Sequence, residues 1–140
     1  MEEGENALAE RIKAEMTVDY NDALEKNFDL AKKFVGITPE GKVNVQRNPA
    51  FGGEDRIVLY LIGKAYAARA GYAEADAVEN KELLDELGMK EGSLFPWLKF
   101  LRDSGKIKQK AGAKGSLHYI PHNLISSELE RLNKKADQKK

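Results

Sequence analysis

Residues 92–107, GSLFPWLKFLRDSGKI, combine a helical apolar period with a proline, then a glycine and the start of a basic run. Leu94, Leu98 and Leu101 stand at i, i+4 and i+7, one face of a helix. At about 100° per residue, Pro96, Lys99 and Asp103 fall on the opposite face, with Ser93 and Phe100 flanking it. A helix that starts near Ser93 holds Pro96 in its first turn. There no intrahelical donor is lost and the ring meets no preceding helical carbonyl. The proline then marks the entry of the helix and does not break it.

The segments on either side extend the pattern. Asn80 reads as the N-cap of KELLDEL, whose Leu83, Leu84 and Leu87 make an apolar face, and Gly88 is a good left-handed terminator. Residues 89–92 form a short turn, so two short helices meet at a glycine-bearing corner, a helix-turn-helix pattern. Before them, residues 54–70, EDRIVLYLIGKAYAARA, open with two acids and are apolar nearly all round, as in a helix at the middle of a small fold. After Gly105 the period changes to two: KIKQK and SLHYI read as strands joined by the glycine-flanked turn AGAKG.

The order helix, short helix, turn, helix, basic hairpin is that of a winged helix-turn-helix. The stretch around Pro96 further resembles the recognition-helix signature of PadR-like winged-helix regulators, G-[TS]-L-[YF]-P-x-L-x-x-L-x-x-x-G-x-[IVL]. Gly92, Ser93, Leu94, Phe95, Pro96, Leu98, Leu101, Gly105 and Ile107 fill it in register. The close match covers 92–107, and a looser one about 54–120. The resemblance implies binding to double-stranded DNA, the second helix (about 93–104) entering the major groove and the wing (about 106–120) touching backbone or minor groove. Carried over by position, it puts Ser93, Pro96 and Lys99 nearest the bases, with Lys90 at the entry. Lys106, Lys108, Lys110 and Lys114 would meet phosphates.

The fold class expected is mainly α (α+β), a winged helix-turn-helix at 54–122 with helical extensions on both sides. Residues 1–19 read as an acidic, mobile N-terminus, although 5–16 can form an amphipathic helix with Ala7, Leu8 and Ile12 on one side. Residues 20–53 read as a helix and a connector. Leu24, Phe28, Ala31 and Val35 share a helical face, Gly36 closes the helix, and Val43 and Val45 alternate as in a short strand. In 123–140, Ser127 and Glu130 suggest a capping box for a helix striped by Ile125, Leu129 and Leu132 and ending in a basic tail. The two terminal stripes are available for a homodimer or for the chain's own core.

A net formal charge of zero hides an asymmetry. Residues 1–30 hold nine acidic against three basic side chains, and residues 99–114 hold six basic against Asp103 alone. The absence of cysteine excludes disulfides and thiolate chemistry, and with no apolar run of membrane length and no export signal the expectation is a cytoplasmic protein. His118 and His122 are four apart, but Pro121 lies between them and no third ligand is evident, so no metal or other cofactor is expected. Phosphate-loop, nucleophile-elbow and metalloprotease motifs are missing, and an enzyme is not expected. Trp97 and Phe100 lie beside the core stripe, turned outward. They read as packing on a terminal helix, or as a dimer or protein-partner contact together with Leu129 and Leu132. Two other readings therefore stand beside DNA regulation: a winged helix used for protein contact, and RNA binding through the basic wing.

Overall fold

The apolar run that follows Gly52 becomes a central helix, and the other elements are laid around it. In the computed structural model, which describes residues 2–16 and 23–138, the architecture is mixed α+β. The chain order is α1 (Glu2–Glu15), α2 (Ala23–Lys26), α3 (Phe28–Ala31), β1 (Val35–Ile37), β2 (Val43–Val45) and α4 (Gly53–Arg69). Then come β3 (Val78–Glu79), α5 (Asn80–Leu87), α6 (Glu91–Asp103), β4 (Lys108–Gly112), β5 (Gly115–Tyr119) and α7 (His122–Gln138). β1 and β2 form one antiparallel pair, and β3, β5 and β4 form a second antiparallel sheet in that spatial order. No helix among the described residues is long and apolar enough to cross a membrane.

α4 begins where the sequence says it should. The Asp55 carboxylate accepts the Gly52 N–H at 3.1 Å, and Glu54 and Asp55 complement the positive end of the helix. Ile57 through Ile62 are all fully buried, so this helix has no solvent face along that turn and a half. The β1–β2 pair lies against it. A Cβ on Gly63 would come within 2.4 Å of Val43 Cγ1, so the missing side chain sets how closely β2 approaches. Lys64 is buried too, and its ammonium is paired as burial demands: it donates to Glu82 of α5 and to the Gly41 carbonyl, both at 2.7 Å.

α5 stops at Gly88, whose φ of +66° is the left-handed conformation that only glycine adopts without strain. α6 follows after Met89 and Lys90, with Leu94, Leu98 and Leu101 buried as the stripe requires. Two details depart from expectation. Asn80 is the first helical residue of α5 and Glu79 takes the cap position; the Asn80 side chain is drawn instead to His118, 2.6 Å away. α6 starts at Glu91, two residues before Ser93, so Pro96 sits inside the helix and not in its first turn. The ring is exposed, and the lost hydrogen bond would have gone to the carbonyl of Gly92.

Both terminal segments differ from the sequence reading. The helix expected over 20–35 is not continuous; its first residues, 20–22, lie outside the described part. Asn27 separates α2 from α3, its side-chain amide donating to the Ala23 carbonyl at 2.8 Å, a local competition typical of Asn. Val35 belongs to β1, opposite Val45, and Phe28 is 53% exposed, so the four-residue stripe is not one buried face. α7 starts at His122, and Ser127 Oγ donates to the Leu124 carbonyl within the helix, so Ser127 and Glu130 make no capping box. Of the two places open to them, a partner surface and the chain's own core, Leu129 and Leu132 take the core, fully buried with Ile125. Polar contacts hold α7 there. Arg131 donates to Asp55 at 3.0 Å and Lys135 donates to the other Asp55 oxygen. Burial alone would raise the Asp55 carboxyl; hydrogen bonds from Lys135, the Gly52 N–H and Arg131 outweigh it and hold the group below the usual carboxylate range.

Candidate nucleic-acid interface

The residues singled out from the sequence fall into two sets joined end to end. The first lies on α6. Lys90 is the extended residue at its N-terminus, and its carbonyl accepts the N–H groups of Ser93 and Leu94, both at 2.9 Å. Ser93, Pro96 and Lys99 are exposed along the face opposite Leu94, Leu98 and Leu101. Lys99 reaches one turn on to Asp103 at 2.8 Å, an exposed i,i+4 pair. That hydrogen bond, followed by the Lys99 charge, lowers the Asp103 carboxyl.

The second set lies on the β4–β5 hairpin. The chain leaves α6 through Gly105, and the Lys106 and Ile107 N–H groups both return to the Leu101 carbonyl, so the hairpin springs from the C-terminal end of α6. Registers then sort the side chains. Gln109, His118 and Val78 share one face, and the last two are buried. Lys108 opposite Tyr119, and Lys110 opposite Leu117, take the other face, where both lysines are exposed. Lys110 Nζ stands 5.9 Å from the Tyr119 ring centroid. Lys114 is exposed at the two-residue tip between Gly112 and Gly115. Gly112 has a steric role: a Cβ there would meet Leu117 Cγ at 2.8 Å and the Gly115 carbonyl at 2.9 Å. Lys106 differs from the other lysines. It is partly buried and lies 3.7 Å from Glu128 of α7, so it serves the core side of the hairpin root.

The root itself is tied down by His118. Its Nε2–H donates to Asn80 Oδ1, linking β5 to the start of α5, while Nδ1 is buried with no hydrogen-bond partner among the described residues. Only the neutral ring suits that environment. Burial, and then the nearby Arg102 charge, push the His118 pKa below the ordinary imidazole value. His122 has a different partner, its Nε2 lying 3.6 Å from Asp76.

Trp97 and Phe100 are exposed on one flank of α6 and meet edge to face, with centroids 6.4 Å apart. Trp97 covers Gly53 at the start of α4, where a Cβ would lie 2.5 Å from its indole nitrogen. Its indole therefore packs on the start of α4. Phe95, on the other flank, is exposed as well; its place in the signature gave no hint of that. A cleft of about 870 Å³ lies elsewhere, between the 43–49 segment and the end of α5, and it mixes Arg47 and Arg56 with Asp85 and Glu86. Its lining includes none of the DNA-contact or partner-contact residues expected from the sequence. Comparison with protein-family models, with curated proteins and with solved structures finds no match to this chain.

Proposed function

We propose that this chain is a DNA-binding protein of the winged helix-turn-helix type, a small transcriptional regulator similar to the PadR-like group, acting without catalysis. The observation that carries the reading is the β4–β5 hairpin, rooted at the end of α6, with Lys108 and Lys110 exposed on one face and Lys114 at its tip. In this reading α6 offers Ser93, Pro96 and Lys99 to the major groove, and the hairpin is the wing. Lys108, Lys110 and Lys114 neutralise phosphates and release condensed counterions, which makes affinity fall steeply with salt. The Lys99–Asp103 pair must open or share its ammonium when Lys99 reaches DNA.

Fluorescence anisotropy on a random duplex at about 50 and about 200 mM salt tests this. The Lys108→Ala/Lys110→Ala variant should bind more weakly and lose about two units of the log–log salt slope, about one per phosphate contact. Absence of binding by the wild type at the lower salt overturns the proposal, and preference for single-stranded RNA over duplex redirects it to RNA. One observation favours a second reading. Trp97 and Phe100, 36% and 50% exposed, meet edge to face on one flank of α6, an apolar surface better suited to a protein partner than to base edges. Binding of a protein partner that survives Lys108→Ala/Lys110→Ala but not Trp97→Ala/Phe100→Ala would identify that use.

A further inference from the structure

The outward face of α6 carries chemistry that phosphate contacts do not use. Gly92, Phe95, Pro96 and Lys99 stand at i, i+3, i+4 and i+7, outside the buried stripe of Leu94, Leu98 and Leu101, and all four are exposed. Phe95 is 45% exposed, a large apolar side chain that the core does not take up. Side chains on a helix lean towards its N-terminus, which carries Phe95 towards the first turn of α6, the end that enters the major groove in the DNA-binding reading. Gly92 leaves room beside it: the residue brings no side chain, and a Cβ built there meets no atom within 4 Å.

We infer that this face selects thymine, through apolar contact of Phe95 and Pro96 with the thymine C5 methyl in the major groove. The inference rests on the DNA-binding reading above and adds the base that α6 prefers. Bidentate recognition of adenine takes Asn or Gln, and that of guanine takes Arg or Lys. Residues 90–101 contain no Asn, Gln or Arg. The Lys99 ammonium is held by Asp103 at 2.8 Å, and Lys90 stands before the helix at its cap position. Ser93 can pair with more than one base and sets no preference. What the first two turns offer beyond these is apolar, a phenyl ring next in sequence to a pyrrolidine ring. Among the groups that base pairs present in the major groove, the thymine methyl is the apolar one. A guanine or cytosine edge set against Phe95 would lose water and gain no partner, so the same ring that favours thymine disfavours the alternatives.

The test removes the methyl and nothing else. The probe is the duplex that the full wild-type chain enriches from a randomised pool, made once with thymine and once with deoxyuridine at every thymine position. Charge and hydrogen-bonding edges are the same in both. In fluorescence anisotropy at one fixed salt concentration, wild type should bind the deoxyuridine duplex about fourfold more weakly for each methyl contacted. Phe95→Ala should bind the two duplexes equally, about as weakly as wild type binds the deoxyuridine form. Phe95→Leu, which keeps an apolar side chain, should retain the preference, and it supplies the readout if thermal unfolding shows that Phe95→Ala is not folded. Lys108→Ala/Lys110→Ala should weaken binding to both duplexes and keep their ratio, because phosphate contacts do not sense the methyl. Equal binding of both duplexes by wild type overturns the inference, and so does a folded Phe95→Ala chain that keeps the wild-type ratio. A pool from which no duplex is enriched overturns it too. Binding to duplex DNA that is indifferent to the methyl leaves the DNA-binding proposal standing; absence of all binding overturns both.

Discussion

β1–β2 and β4–β5 are both antiparallel pairs joined by short turns, yet Val43 of the first is buried against α4 while Lys108 and Lys110 of the second stand in solvent. The backbone plan is shared, so the side chains account for the difference. Val35, Ile37, Val43 and Val45 give the first pair an apolar face, and Gly63 gives α4 a recess that accepts it. The second pair has one inward column, His118 with Val78, and holds its place through the third strand and the Asn80 contact. A hairpin packed on the central helix contributes to stability. One anchored at its root leaves its outer face for solvent or for a ligand.

That contrast is most easily broken at Val43. Val43→Ala should cost about 2 kcal/mol in chemical unfolding, because it opens a void against a helix that cannot follow. Gly63→Ala alone should also destabilise, by about 1–3 kcal/mol through overpacking. The double variant should lose less than the sum, since the new methyl at 63 enters space vacated at 43. Strict additivity would show that β2 and α4 do not meet there.

The root of the second hairpin gives a smaller, pH-dependent effect. A folded His118 pKa below the ordinary value of 6.5 means that the unfolded chain binds the extra proton first. The stability from neutral His118 is therefore fully present above that value and is lost as pH falls towards the folded pKa. Thermal melts between about pH 7 and about pH 5 should show the decline, and His118→Gln, which does not titrate, should flatten it. A His118→Gln profile that matches the wild type would assign the decline to other groups.

The smallest effect is expected at the exposed lysines. Lys108→Ala/Lys110→Ala should change unfolding free energy by no more than about 0.5 kcal/mol, as surface substitutions usually do. A larger loss would show that these side chains hold the hairpin in place, and any weaker DNA binding by that variant would then have to be ascribed to misfolding.

Much of the helical core was legible because its causes are local. The run from Ile57 to Ile62 has no polar face, Gly88 follows the last apolar residue of its helix, and the 94–98–101 stripe needs only helical geometry. The candidate interface was legible in the same degree: exposure of Ser93, Pro96 and Lys99 follows from the stripe, and exposure of Lys108 and Lys110 from strand alternation. Other positions had local signals that misled. Asn80 and Ser127 are common cap residues, but their side chains found His118 and the Leu124 carbonyl instead. The 24–28–31–35 spacing fits a helix, but Val35 gained a strand partner in Val45 and Asn27 ended the first turn. By sequence Lys106 is like the other lysines of the second hairpin, but the return of α7 brings Glu128 to it.

By itself, the sequence determined which segments are helices of the core, where α5 stops, and which faces of α6 and the second hairpin are apolar or basic. These properties depend on the spacing of residues along one element. Only the tertiary structure decided what covers each apolar face: Leu129 and Leu132 turn into the chain's own core, Trp97 lies on Gly53, and Phe28 remains at the rim of an open groove. Periodicity says that a face must leave water. Which surface receives it depends on where distant segments meet, and that is set by the packing of all of them together.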